Sequence, residues 1–298
     1  MHIVDVFQAD GLPVSFEIFP PKGELPMEEA REVVSGLAPL NPAFVSVTYS
    51  AGGGGNSGRT IDVARMMNDE FNLTSMAHLT CMNATREGIA ETLGAMKAAG
   101  IQNVLALRGD AVEGMTTNDF KFAKDLIPLV REAGFCVGAA AYPEGHVACL
   151  DFEESIEHLK QKQDTGAEFF VSQLFFDNEC ALRFLDHAHL AGIEVPITLG
   201  VMPFMSKSQI TRMVFMCGAS LPSPVVKLLA RYEDDPESLR AAGIEYACKQ
   251  LVGLAEAGVD GVHVYTMNKP DVAAAAVEAL GMAGFGPKAA KAADGASC

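Results

Sequence analysis

Glu17 stands alone in an apolar run, Val14-Ser15-Phe16-Glu17-Ile18-Phe19-Pro20-Pro21, that a double proline ends. In an extended chain, alternation puts Phe16 and Ile18 on one side and Ser15, Glu17 and Phe19 on the other, so the carboxylate faces either solvent or an enclosed interior. Enclosure favours the proton-bearing form and makes Glu17 a candidate general acid. An Arg or Lys beside it would instead make it half of an ordinary ion pair, and the run alone leaves both readings open.

Further polar residues close other apolar runs: Thr48 and Tyr49, His78 and Thr80, Arg108 and Asp110, Tyr142 through His146, Gln173, Met202 to Ser206, and Tyr265 to Lys269. In Arg108-Gly109-Asp110 the glycine permits a backbone approach that a side chain would block, and the two charges can fix a polar ring by paired hydrogen bonds or simply pair with each other. Tyr142-Pro143-Glu144-Gly145-His146 offers an aromatic face and an imidazole suited to a flat heterocycle, or else a rigid turn. Lys162 can reach a phosphate, although most helix lysines are solvated. His187 and His189 form an H-x-H, but residues i and i+2 of a helix do not face each other, which argues against a metal there.

Gly53-Gly54-Gly55-Asn56-Ser57-Gly58 satisfies G-x-G-x-x-G, yet the acidic residue expected about 20 positions on, at the end of the next strand, is replaced by His78-Leu79-Thr80. The run reads better as a flexible loop over a ligand. There is no Walker phosphate loop and no G-x-S-x-G nucleophile elbow.

These residues need elements that bring them to one place. Strand patterns cover Val14 to Phe19, Phe44 to Tyr49, Leu73 to Leu79, Asn103 to Leu107, Phe135 to Ala141, Phe169 to Leu174, Pro196 to Met202 and Gly261 to Tyr265. Between them lie helical patterns, with Gly100, Gly134 and Gly166 as stops, and the stretch from Pro224 to Gly258 reads as extra helix between strands seven and eight. Strands recur at about the length of a βα repeat, and eight of them predict a (β/α)8 TIM barrel, with the polar residues gathered at the carboxyl ends. A doubly wound open sheet is the alternative fold. No linker interrupts the alternation, so a single barrel domain is expected over 1–285, with a disordered Ala/Gly/Lys tail over 286–298.

The chain has 298 residues, 49% hydrophobic and 20% charged, with a formal net charge of -16. That charge, without a basic cluster, argues against nucleic acid, and an anionic ligand would need local cations such as Arg108, Lys162 or Lys207. Seven cysteines without a C-x-x-C pair suggest reduced thiols, and neither a signal pattern nor a membrane-length apolar run is present, so a soluble, cytoplasmic protein is expected.

Six segments taken together, Ser15 to Pro21, Phe44 to Tyr49, His78-Leu79-Thr80-Cys81, Ala106 to Asp110, Ala141-Tyr142-Pro143-Glu144 and Gln173 to Asp177, closely resemble the bacterial methylenetetrahydrofolate reductases from about Val14 to about Lys269. The resemblance implies a barrel with non-covalent FAD that takes a hydride from NADH or NADPH and passes it, by a ping-pong route, to 5,10-methylenetetrahydrofolate. The product is 5-methyltetrahydrofolate for one-carbon metabolism and methionine biosynthesis, and homo-oligomers are common in the family.

By position, Glu17 matches the acid that protonates the folate, and Asp110 a carboxylate near both flavin and pterin. Gln173 matches a residue contacting folate and nicotinamide by turns, and Thr48 lies where the nicotinamide is held. His78, Leu107, Arg108, Gly109, Tyr142, His146, His158 and Lys162 fall on flavin-contact positions, flanked by Tyr49 and Ala51; Gln209, Met213, Tyr265 and Lys269 fall on folate-binding ones. Lys269 replaces an arginine of some relatives and gives a point charge instead of a fork. Met213 stands where one branch has an aromatic, and Ser155, His158 and Gln161 where relatives grip the adenosine end. Two other readings fit this altered grip or the folate positions alone: a reductase-like subunit active only within a larger complex, and a flavin-free folate-binding barrel.

Overall fold

The computed structural model describes residues 1–21, 26–49, 57–110 and 119–286. Eight strands, β1 (Val14–Ile18), β2 (Val45–Val47), β3 (Ser75–Thr80), β4 (Asn103–Leu107), β5 (Cys136–Ala141), β6 (Phe169–Ser172), β7 (Ile197–Val201) and β8 (Gly261–Tyr265), pair in sequence order, all parallel. β8 returns to β1 with Ser15 opposite His263 and Glu17 opposite Tyr265, which closes the barrel and rules out the open sheet.

The helices that cross between strands are α2 (Met27–Leu37), α3 (Ser57–Phe71), α4 (Arg86–Ala98), α5 (Ala123–Glu132), α6 (Phe152–Asp164), α7 (Asn178–Leu190) and α8 (Lys207–Cys217), and α11 (Pro270–Met282) follows β8; a short α1 (Ile3–Val6) precedes the barrel. The extra helical stretch is two helices, α9 (Ser223–Arg231) and α10 (Pro236–Glu256). The break has a local cause: Asp235 caps α10 by accepting from Ser238 N, and Pro236 occupies its first turn, where its missing N–H costs nothing.

The alternation read from the sequence sets the two sides of the barrel wall. Outward residues such as Phe16, Ile18, Val45, Val47 and Leu79 pack with Val34, Met67 and Leu93 of the surrounding helices in the main core. Inward residues of the amino-terminal end, Phe44, Met76, Leu105 and Phe169, form a separate apolar plug with Ile3.

The pattern of the first residues gave no sign of α1. Its helix has no side-chain cap, and it is held instead by burial of Ile3, worth roughly 1.5–3 kcal/mol, and by Asn103, whose Oδ1 accepts from Ile3 N at 2.8 Å. Asn103 Nδ2 in turn donates to Ser75 O at 3.0 Å. One end of the barrel is thereby sealed, and the polar residues are left to the other.

β2 ends at Val47, so Thr48 and Tyr49 lie just past the strand rather than in it. Ala51, most of the glycine run and the tail from residue 287 lie outside the described residues.

Candidate active site

Above the apolar plug the barrel interior turns polar. Glu17 points inward with 11% of its side chain exposed; its Oε2 is 3.5 Å from His78 Nε2 and 3.8 Å from His263 Nε2, and Ser46 Oγ donates to it at 3.5 Å. His263 is wholly enclosed, hydrogen-bonded through Nδ1 to Ser15 Oγ at 2.7 Å and stacked on Phe44 with ring centres 5.8 Å apart. Its Nε2 also lies 3.4 Å from Ser46 Oγ.

No Arg or Lys pairs with Glu17 among the described residues, so the ordinary ion-pair reading gives way to a carboxylate facing imidazoles and a hydroxyl. His78 Nε2 makes no hydrogen bond, and burial outweighs the pull of Glu17 and holds the ring below its usual pKa, hence neutral at pH 7. Tyr265 donates its hydroxyl to Ser172 O at 2.6 Å, and burial together with the Glu17 charge keeps the phenol protonated. Gly200 makes room for that ring, because a Cβ there would lie 2.6 Å from both Tyr265 and Ser172 O.

A second group lies at the ends of β4 and β5. Gly109 has φ 81°, a left-handed conformation, and a Cβ there would come within 3.0 Å of Thr80, so both backbone and space require glycine. The residues on either side diverge: Arg108 Nε is buried without a hydrogen-bond partner, and Asp110 is exposed. Tyr142 and His146 meet edge to face at 4.7 Å. Burial raises the Tyr142 hydroxyl to about 12, and burial with the Arg108 and Lys162 charges lowers His146.

Lys162, in the last turn of α6, turns inward, donates Nζ to Ala140 O at 2.7 Å and lies 5.1 Å over the Tyr142 ring. Burial lowers it to about 8. Leu107 packs beside the apolar plug beneath.

The other expected residues are spread around the mouth. Thr48 O accepts from Thr60 at 2.9 Å, and Tyr49 packs on the main core. Gln173 folds back to accept from Leu174 N at 2.9 Å. Gln209 clamps the loop before α8, accepting from Met205 N at 2.7 Å and donating to Pro203 O at 3.4 Å. Met213 joins the apolar cluster of Phe176, Phe204 and Ile210, and Lys269 sits exposed at the amino terminus of α11. His158 stacks on Phe122 at 6.1 Å. Ser155 has become a structural ligand, accepting from His146 N at 3.3 Å.

The sequence profile of methylenetetrahydrofolate reductase matches residues 3–281. The chain belongs to the methylenetetrahydrofolate reductase family. It is 33% identical to the 5,10-methylenetetrahydrofolate reductases of Pectobacterium carotovorum subsp. carotovorum and Escherichia coli (strain K12), in each case over 270 residues that cover 90% of both chains. Methylenetetrahydrofolate reductase 1 of Schizosaccharomyces pombe is also 33% identical, over 276 residues, but this chain spans only 46% of that protein's length. Among solved structures, an uncharacterized Clostridium thermocellum protein that binds two copies of 5-methyl-5,6,7,8-tetrahydrofolic acid superposes with a TM-score of 0.65 at 12% identity, covering 94% of this chain and 98% of that one, a likeness of fold.

In this methylenetetrahydrofolate reductase family member, several residues around the site escaped the sequence reading. His263 and Ser46 lie beside Glu17, with Ser15 behind His263, yet a His or Ser among valines reads as ordinary core; the available signal was parity, since His263 shares a side of its strand with Tyr265, as Ser15 does with Glu17. Asn268 had no such signal. Its φ is 56°, and its side chain brackets the backbone of Phe19, accepting at 2.7 Å and donating at 3.0 Å, which ties the loop after β8 to the end of β1.

Proposed function

We propose that the protein reduces 5,10-methylenetetrahydrofolate to 5-methyltetrahydrofolate with NADH or NADPH as hydride source and a flavin, FAD, as carrier. What supports this reading is Glu17, held by neutral and hydroxylic partners in the polar mouth of a barrel of this family. The β4–β5 group fits an anionic, flat cofactor: a buried guanidinium nitrogen of Arg108 lacks a hydrogen-bond partner among the described residues, and Lys162 brings a cation over the Tyr142 ring. Arg108, Lys162, Tyr142, His146 and the backbone at Gly109 would hold the flavin, with Phe122 and His158 beside its adenosine end. A flavin bound there supplies reversible acceptance and donation of a hydride.

The chain's own contribution is the proton. Glu17 protonates N10 of the folate, the bond from N10 to the bridging methylene breaks with its electron pair on nitrogen, and the resulting N5 iminium becomes a methyl group when it accepts a hydride. One hydride and one proton are consumed. A neutral His78 lies 3.5 Å from the Glu17 carboxyl, and His263, fixed by Ser15, lies 3.8 Å from it. Asp110, Gln173, Gln209 and Lys269 line the route along which the folate lies, and Thr48 the place of the nicotinamide.

The test is an anaerobic half-reaction. Purified flavin-loaded protein, reduced and then mixed with methylenetetrahydrofolate, should reoxidise with formation of 5-methyltetrahydrofolate. Failure to reoxidise at saturating folate would sink the reading. A colourless protein that takes up no added FAD would instead favour the flavin-free barrel.

A further inference from the structure

Cys149, Glu154 and His158 form a second group of reactive side chains on the outer side of the loop between β5 and α6. Glu154 and His158 are one helical turn apart and share a face of α6, with His158 Nε2 4.0 Å from Glu154 Oε1. The preceding loop folds back so that Cys149 Sγ lies 3.3 Å from Glu154 Oε2. Sulfur, carboxylate oxygen and imidazole nitrogen all lie within 4.8 Å of one another. A tetrahedral ion bonded at about 2.0–2.3 Å holds such atoms about 3.5 Å apart, so this set would have to draw together around an ion.

The thiol is placed between Asp151 O at 3.2 Å and Glu154 Oε2 at 3.3 Å, where a cation would displace its proton. The Phe122 ring lies 6.1 Å from the His158 ring, inclined 30° to it. The Asp151 carboxylate is engaged elsewhere, accepting from Glu153 N at 2.9 Å as the cap of α6. Three protein ligands therefore remain, of soft, borderline and hard type, and once the thiol is ionised their combined charge matches a divalent cation.

We propose that Cys149, Glu154 and His158 bind a divalent transition-metal ion of the zinc type, with water completing its coordination. The cysteines form no C-x-x-C pair; this set is C-x4-E-x3-H and depends on the loop's return. Occupancy would reach the barrel mouth by a short route, since Cys149 N donates to His146 O at 2.7 Å and Ala148 N to His146 Nδ1 at 3.0 Å. The ion would thus pin the loop that carries Tyr142 and His146. The site shares His158 with the proposed flavin pocket, but its three ligands are assembled without the flavin.

Titration of the chelator-treated full chain with Co2+ tests it. One equivalent should give the visible bands of tetrahedral cobalt and a near-ultraviolet thiolate-to-cobalt charge-transfer band, both bleached by one equivalent of Zn2+. Cys149→Ser should lose the charge-transfer band, and Glu154→Gln and His158→Ala should each weaken binding while circular dichroism stays unchanged. Absence of a thiolate band in excess Co2+, or a band that survives Cys149→Ser and so belongs to another of the seven cysteines, overturns the proposal.

Discussion

The two halves of the barrel mouth are finished to different degrees. Around β1, β2 and β8 the polar atoms largely satisfy one another: Ser15 with His263, Ser46 with Glu17 and His263, Thr266 Oγ1 donating to Glu17 O at 2.7 Å. Around β4 and β5, Arg108 Nε has no hydrogen-bond partner among the described residues, and Lys162 keeps its charge against burial beside Ala140 O and the Tyr142 ring. Leaving a buried charged donor unmatched is costly, so a protein retains it where a ligand completes it. On the proposed function, the first half would serve the proton and the second the anionic cofactor.

Removing the proton is the hardest blow to the first half. Glu17→Gln keeps shape and hydrogen-bonding capacity but cannot act as an acid, so folate-dependent reoxidation of reduced flavin should fall about 10²–10⁴-fold, the usual worth of a general acid. Reduction of the flavin by NADH or NADPH should stay within a few-fold of the parent, because no proton from Glu17 enters that step. Stopped-flow measurement of both half-reactions separates these outcomes; equal loss in both would mean that the two halves of the mouth do not divide the work as their bonding suggests.

Next in size is the anion-directed half. Arg108→Ala and Lys162→Met should each weaken flavin retention about 10–100-fold, the equivalent of one charge-assisted hydrogen bond, as read by equilibrium dialysis. Lys162→Met should at the same time raise the melting temperature of the flavin-free protein, since it removes a charge that burial disfavours. A drop in both quantities would show that Lys162 serves the fold rather than a ligand.

Much of the barrel, and the polar residues at its strand ends, was visible before any coordinates. Eight apolar runs at βα spacing carry the barrel, and alternation along the first sets Ser15 and Glu17 on one side without deciding whether that side faces solvent or the interior. Parity does not say how deep a residue lies, which is why His263 and Ser46 passed for core. Nor does it give long-range closure: Asn268 reaching Phe19, α1 seated under Asn103 and Cys149 folding back on Glu154 each join residues through loops whose path no local pattern specifies. Lys162 shows the intermediate case. Its charge was readable, but its inward turn depends on how α6 lies against β5.

A subtler probe of the anion-directed half is pH. Burial lowers Lys162 to about 8 from its ordinary 10.5, so in the free protein the side chain is a cation below about pH 8 and neutral above it. Attraction for an anionic ligand is therefore present at pH 7 and lost as pH rises through that value. Flavin affinity measured from pH 7 to 9.5 should decline past about 8 in the parent and run flatter in Lys162→Met; parallel curves would assign the decline to another group.

The smallest expected effect tests whether the first half is a set of independent contacts or one fixture. Ser46 Oγ lies at 3.5 Å from Glu17 and 3.4 Å from His263, both long for hydrogen bonds to a hydroxyl. Ser15 Oγ, by contrast, holds His263 at 2.7 Å. If the Ser15–His263 bond sets the position of the ring, and the ring that of Glu17, Ser46→Ala should slow folate reduction less than about tenfold, near the net value of one weak hydrogen bond. Ser15→Ala should cost more than Ser46→Ala in the same assay. The reverse order would make the hydroxyl on β2, rather than the imidazole on β8, the group that holds the acid.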